Sequence, residues 1–294
     1  MKGKTCIVTG SNSGIGKETA KTLADMEATV VMVVRNQDRG EKAKKQIIDE
    51  TGNHSTSLMI CDLSSMDSIR QFTEEFKDRF DRLDVLINNA GAVFSKRQIT
   101  IDGFEETLTV NYLGPFLLTY DLLPLLKSSA PSRVINLSSG AIRRSGVHGL
   151  GRLDFNDFMS EKNYSGMKVY GKAKIMIIMF TQELTRRLEG TGVTANTVLP
   201  GFVATNLGRN SGGRLNSIMF TLMRPFQLSA KKGSETSVYL ASSEEVERVT
   251  GKIFSKQKDV TKDFILEDQD TQKLLWNKTL DLLGINSLSQ NQNT

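Results

Sequence analysis

The chain has 294 residues, 38% hydrophobic and 24% charged, with a formal charge of +5 and a pI near 9.1. That length suits one large globular domain. Basic and acidic residues are interspersed along it, which leaves no stripe for nucleic acid; the surplus charge reads as a mildly basic protein with solvated lysines, or more sharply as a preference for anionic ligands such as phosphates.

Two cysteines and two histidines argue against a disulfide framework, a histidine triad and a histidine-rich metal site. The apolar runs Ile175 to Phe180 and Phe116 to Leu126 are too short or too interrupted to span a bilayer. The first strand starts almost at once, which leaves no signal peptide. The expectation is a soluble, cytoplasmic protein with one domain over 1–286 and a polar, frayed tail over 287–294. Peripheral membrane association stays open.

Short, β-branched apolar runs read as strands buried on both faces at Thr5 to Thr9, Thr29 to Val34, Ser57 to Cys61, Val85 to Asn88, Arg133 to Leu137 and Thr194 to Leu199. Gly251 to Phe254 is a candidate seventh, edge strand. Amphipathic helices alternate with them at Ile15 to Met26, Arg39 to Glu50, Met66 to Phe80, Phe104 to Leu126 and Val169 to Glu189, with a last one over Thr271 to Leu283. Repeated β-α-β order predicts an α/β fold, a doubly wound parallel sheet with helices on both faces. Its ligands belong beyond the carboxyl ends of the strands, where the strand order reverses.

The first strand runs into Gly10-Ser11-Asn12-Ser13-Gly14-Ile15-Gly16, which opens the first helix. Glycines there admit positive φ and a close backbone approach by pyrophosphate, and the helix N-terminus offers free N–H groups. The spacing is GxxxGxG, neither the GxGxxG fingerprint nor a P-loop. At the end of the second strand stand Arg35 and Asn36, with no acid until Asp38. A cation at this place favours the 2′-phosphate of NADP(H), whereas a carboxylate would favour NAD(H). NADP(H) is therefore the expected cofactor, and Lys17 is a candidate second cation.

Tyr170 and Lys174 are four residues apart, on one helix face. A fixed ammonium should lower the phenol's pKa from its free value of about 10 towards neutrality. The pair reads as a proton-transfer device.

With these motifs in this order, the chain resembles the short-chain dehydrogenase/reductase family, most closely its retinol dehydrogenase-like group. The resemblance implies a Rossmann-type sheet of about seven strands in the order 3-2-1-4-5-6-7. Asp62-Leu63 is similar to the family's adenine-contacting pair. Asn88-Asn89-Ala90-Gly91 is similar to its NNAG turn beside the cofactor. Pro200-Gly201-Phe202-Val203-Ala204-Thr205 is similar to its PGxxxT loop over the nicotinamide, which adds Pro200, Gly201, Val203 and Thr205 to the cofactor set. Asn111 matches the relay asparagine, and Ser139 the catalytic serine, with Ser138 as the alternative.

The implied reaction interconverts an alcohol and a carbonyl. Tyr170 is the acid/base. Lys174 tunes the phenol and binds the nicotinamide ribose, Ser139 holds the substrate oxygen, and Asn111 serves a proton path. Many of the group carry an N-terminal anchor, which is not seen here.

The Met- and Phe-rich stretch Asn206 to Leu228 is either a mobile lid over a lipophilic aldehyde, ketone or alcohol, or a helix covering the sheet edge. The surplus apolar residues Ile175, Met176, Ile178 and Met179 leave a homodimer possible. The competing reading is a catalytically inactive NADP(H)-binding sensor or scaffold; retention of both Tyr170 and Lys174 disfavours it.

Overall fold

Alternation along the first strand sorts its side chains between two cores. In the computed structural model, which describes residues 1–140, 153–201, 228–264 and 268–285, β1 (Thr5–Thr9) sends Cys6 and Val8 into one apolar cluster and Ile7 into the other. A period of two requires this. β2 (Thr29–Val34) does the same, with Val30 and Met32 facing one way and Val31 and Val33 the other.

Around these two lie β3 (Thr56–Ile60), β4 (Val85–Asn88), β5 (Ser132–Leu137), β6 (Val193–Val198) and β7 (Ile253–Ser255), all parallel, in the order β3-β2-β1-β4-β5-β6-β7. The order reverses between β1 and β4, so their carboxyl ends open the crevice expected to take a ligand.

An eighth strand extends the expected seven. β8 (Lys258–Asp259) pairs antiparallel with β7. Lys256 and Gln257 between them both have positive φ, 50° and 61°, as a two-residue primed hairpin turn needs. Neither residue is the glycine or asparagine that would announce such a turn in sequence.

α1 (Gly14–Asp25) and α2 (Gln37–Thr51) cover one face. α3 (Met66–Arg79), α5 (Gly114–Ser128), α6 (Gly166–Arg187) and α8 (Gln269–Leu282) cover the other. The helix expected over Phe104 to Leu126 divides into a single turn α4 (Glu106–Leu108), a π-helical turn Thr109–Leu113 and α5. α7 (Ala230–Ser242) joins the first face and has no counterpart among the expected helices. Its buried side holds Gly233, Ser234, Thr236, Ser237, Val238, Leu240 and Ala241, too small and polar to give a strong hydrophobic period.

Most of the apolar surplus of α6 packs inside the chain, with Ile175 partly buried. Met176, Ile178 and Met179 are buried, and Phe180 packs on Trp276 of α8 with ring centroids 5.8 Å apart. Trp276 also meets Phe116 of α5 edge-on at 4.9 Å. Among the described residues no helix is long and apolar enough to cross a membrane. Val203, Thr205, the Asn206 to Leu228 stretch short of Leu228 itself, and the 287–294 tail lie outside the described residues.

Truncating Trp276 to Ala should remove the three-helix contact and lower unfolding stability by about 3–5 kcal/mol. A circular-dichroism denaturant titration reads this without relying on the fluorescence that the substitution deletes.

Candidate active site

The floor of the crevice is a clamp between β1 and β4. Thr9, the last residue of β1, accepts at Oγ1 from the backbone N–H groups of Asn89 (2.9 Å) and Ala90 (3.0 Å), and its carbonyl accepts from Asn89 Nδ2 at 2.7 Å. The glycine turn sits against this clamp. Gly10 has φ +66°, and a Cβ there would stand 2.9 Å from Ala90 Cα; one on Gly16 would stand 2.6 Å from the Gly10 carbonyl and closer still to Asn89 Nδ2. Glycine is therefore obligatory at both places for want of space, and at Gly10 also for conformation.

The turn presents unspent polar groups. Ser13 precedes α1 without capping it by side chain among the described residues, and the first turn of α1 carries no acid. The buried Ser11 Oγ has no partner among the described residues. The first N–H groups of a helix at its positive dipole end, a hydroxyl unpartnered among the described residues and a glycine surface fit a pyrophosphate.

The flanking candidates divide. Arg35 is exposed at the end of β2, with Glu106 in electrostatic reach. Asn36 is occupied as the N-cap of α2, its Oδ1 accepting from Arg39 N at 3.0 Å. Lys17 points to Gln46 on α2, at 2.6 Å, rather than to Arg35, so the expected second cation is engaged elsewhere. Asp62 folds its own turn, Oδ1 accepting from the N–H and hydroxyl of Ser64 at 2.9 and 2.6 Å. The neighbouring Leu63 carbonyl touches Gly114 so closely that no Cβ fits there. Pro200 and Gly201 (φ +81°) leave β6, and Gly201 lies against Gly140 beyond β5.

Beyond β4 and β5 the polar candidates converge. Lys174 is only 3% exposed. Its Nζ donates to the Leu137 carbonyl at 3.0 Å and lies 5.6 Å from the centre of the Tyr170 ring. The Tyr170 phenol is hydrogen-bonded to Ser139. Ser138, the alternative serine, instead donates to the Lys174 carbonyl at 2.8 Å, which ties α6 to β5.

Asn111 is fully buried; its Nδ2 donates to the carbonyls of Ala92 (2.6 Å) and Thr107 (2.7 Å), and its Oδ1 has no partner among the described residues. A Cβ on Gly91 would stand 2.8 Å from that Oδ1 and 3.5 Å from Lys174 Nζ, so both polar atoms crowd one space. Among the described residues no three potential metal ligands cluster.

A family model described as short chain dehydrogenase matches residues 4–150 and 158–215. The chain belongs to the short-chain dehydrogenase family. It is similar to retinol dehydrogenase 12 of Mus musculus, 42% identical over 285 residues that cover 97% of this chain and 88% of the relative. It is likewise similar to retinol dehydrogenase 13 of Homo sapiens, 41% identical over 294 residues (98% and 87%). A solved protein of Mycobacterium paratuberculosis aligns with TM-score 0.73 at 29% identity, covering 96% of this chain and 94% of its own. This short-chain dehydrogenase therefore groups with the retinol dehydrogenases, as an oxidoreductase of the alcohol–carbonyl class that binds a nicotinamide dinucleotide.

Several residues that shape the site carry no signal in the sequence that singles them out. Thr9 is one. Asn136 is another: it accepts from Asn88 Nδ2 at 2.8 Å and donates to Thr181 of α6 at 2.9 Å, so a buried amide ladder links β4, β5 and α6. Lys172, inside the Tyr170–Lys174 run, donates to the carbonyls of Asp157 (2.8 Å) and Phe158 (3.0 Å) and anchors that loop to α6.

The electrostatics correct one expectation. The Tyr170 phenol is pushed up to about 12, chiefly by burial, with the Ser139 hydrogen bond pulling against it. Burial likewise pushes Lys174 down to about 8. Desolvation penalises both charged forms, and burial sets the direction of both shifts.

Lys174 carries a proton in the unfolded chain that it has largely shed in the fold between pH 8 and its ordinary value of 10.5. The unfolded state then binds more protons, so this group favours folding increasingly as pH rises through that window. The unfolding free energy of the wild type relative to Lys174→Met should climb from pH 8 to pH 10, measured by urea denaturation at each pH. A flat difference would contradict the buried placement of Nζ.

Proposed function

We propose that this chain is an NADP(H)-dependent oxidoreductase that interconverts a lipophilic alcohol and its aldehyde or ketone. The observation that carries the reading is the convergence of Ser139, Tyr170 and Lys174 at the carboxyl end of β5, beside the orphan carbonyl of Asn111. The lipophilic substrate class is drawn from the retinol dehydrogenases it resembles.

The dinucleotide, when bound, supplies or accepts the hydride. Gly10, Ser11, Asn12, Ser13, Gly14, Ile15 and Gly16 would hold its pyrophosphate, and Asp62, Leu63, Asn89, Ala90 and Gly91 would line the crevice that receives the rest. Arg35 would take the 2′-phosphate, for which a planar guanidinium is well shaped. Pro200, Gly201, Val203 and Thr205 complete the proposed binding set.

Tyr170 acts on the substrate oxygen. A phenol held protonated by burial is the correct form to give its proton to a carbonyl oxygen as reduction proceeds. Ser139 donates to the same oxygen and stabilises the charge that develops there. In the opposite direction the phenol must first lose its proton, and Lys174 at 5.6 Å from the ring stabilises the resulting anion. Lys174 uses one proton on the Leu137 carbonyl and keeps the others for ribose hydroxyls. Asn111 Oδ1, next to Lys174 Nζ across Gly91, is placed to accept from a water that refills the proton path.

Two measurements test the reading. Tyr170→Phe should lower turnover of aldehydes by about 10²–10⁴-fold while NADPH binding, followed by its fluorescence, is kept; near-normal turnover would remove Tyr170 from the mechanism. Arg35→Ala should weaken NADPH and leave NADH unchanged. An unaltered ratio of the two dissociation constants would refute the assignment of the 2′-phosphate to Arg35.

A further inference from the structure

Glu105 is a fully buried carboxyl group with no ion-pair partner among the described residues. Its Oε2 accepts from Leu108 N at 2.6 Å, and its Oε1 from Thr107 N at 3.0 Å and from the Tyr164 hydroxyl at 2.9 Å. Lys172 reaches it only through longer-range electrostatics. A buried carboxyl group is costly unless its oxygens are hydrogen-bonded. Here the donors come from two separate parts of the site: the backbone N–H groups belong to α4, which leads into the Asn111 turn, and the phenol stands just before α6, which carries Tyr170 and Lys174.

The same junction gathers a third segment. The Tyr164 oxygen is 2.9 Å from the Phe94 carbonyl and 3.0 Å from Thr107 Oγ1, and Thr107 Oγ1 accepts from Phe94 N at 3.3 Å. Gly166, the first residue of α6, lies so close to the Phe94 carbonyl that no Cβ fits. Ser165 gives α6 no side-chain cap among the described residues, so the entry of that helix is fixed by Tyr164 and Gly166 instead.

We propose that Glu105 is a positioning residue for the Tyr170 centre: through the Tyr164 phenol it sets the N-terminal end of α6 against the turn that carries Asn111. This rests on the reading of Tyr170 as the acid–base group. Tyr170 is six residues beyond Tyr164 and within the second turn of α6. A helix is stiff over that length, so a displacement at Tyr164 reaches the Tyr170–Ser139 hydrogen bond. Misplacement of an acid–base group by about an ångström is enough to cost about 10²-fold in rate.

Tyr164→Phe tests the link without changing volume, with Glu105→Gln as the second variant and Tyr239→Phe as the control. Tyr239 bonds to Glu245 on the surface. In Tyr164→Phe, kcat for aldehyde reduction should fall about ten- to a hundredfold while the NADPH dissociation constant stays within about twofold. The limb of the alcohol-oxidation pH profile that reports phenol ionisation should move to higher pH, because the Ser139 bond that lowers the Tyr170 pKa is loosened. Glu105→Gln should do the same, and the double variant should be no worse than the more impaired single one.

A readout independent of turnover is the ring signal of isotope-labelled Tyr170 in the NMR spectrum, assigned with Tyr170→Phe. It should shift in Tyr164→Phe and stay in place in Tyr239→Phe. An unmoved pH limb with an unmoved Tyr170 signal would overturn the proposal, even if melting temperature fell, because that pattern marks a bond that only stabilises. Full turnover in Tyr170→Phe would instead defeat the acid–base reading, and the NMR signal would still decide the Glu105 link.

Discussion

The arrangement depends on one buried ammonium. Lys174 carries its charge into the end of the sheet, where its Nζ reaches the Leu137 carbonyl and Ser138 answers by donating to the Lys174 carbonyl. These two bonds run in opposite senses between β5 and α6, and they hold the helix at one height along the strand. Once that height is set, Tyr170, one turn earlier on the same face, must stand at the strand end beside Ser139. A lysine in this place is desolvated, and its burial depresses its own pKa. In the proposed mechanism that cost is offset by charge placed next to the phenol.

The second constraint is shortage of space. Gly10, Gly16, Gly91 and Gly114 each stand where a methyl group would collide with backbone or with a polar side chain. Together they bring the first turn of α1, the turn after β4 and the start of α5 close around the crevice. Apolar packing on both faces of the sheet then keeps the strands in the register that these contacts require. Thr9 joins the two, because it ends β1 and its hydroxyl accepts both N–H groups of the turn after β4.

What is legible in the sequence is what is contiguous in it. The glycine turn, the Asn88–Gly91 turn and the Tyr170–Lys174 pair are each local, and local spacing fixes relative direction on a strand or helix. The links between them are not local. Glu105 meets Tyr164 across 59 residues, and Asn88 meets Asn136 across 48; no periodicity reports such pairs. The choice between Ser138 and Ser139 needs the strand end itself, where one hydroxyl turns to the Lys174 carbonyl and the other to the phenol. The direction of the Tyr170 shift runs against the expectation because spacing reveals a neighbouring charge but not the depth of burial, and depth decides the sign. α7 escapes notice because its buried side is built mostly from small and hydroxyl residues, with only Val238 and Leu240 among them larger and apolar.

The π-helical turn shows how one side chain can redirect a helix. In a regular helix the Thr107 carbonyl would accept from the N–H of residue 111. Here the Thr107 carbonyl accepts from the Asn111 side-chain amide. The backbone ladder then lengthens by one residue, as the bond from Gly114 N to the Thr109 carbonyl records. Pro115, without an N–H, makes no demand on the carbonyls left behind. Such a bulge rotates everything after it relative to everything before it. Tyr112 and Phe116 can therefore enter the core, with the Tyr112 hydroxyl on Thr279 of α8 at 2.7 Å, while Asn111 turns its free carbonyl towards Gly91 and Lys174. An unbroken α-helix would have its Asn111 amide compete with its own backbone for the Thr107 carbonyl. The irregularity thus accompanies an amide, rather than an apolar residue, at a helical position that faces the crevice.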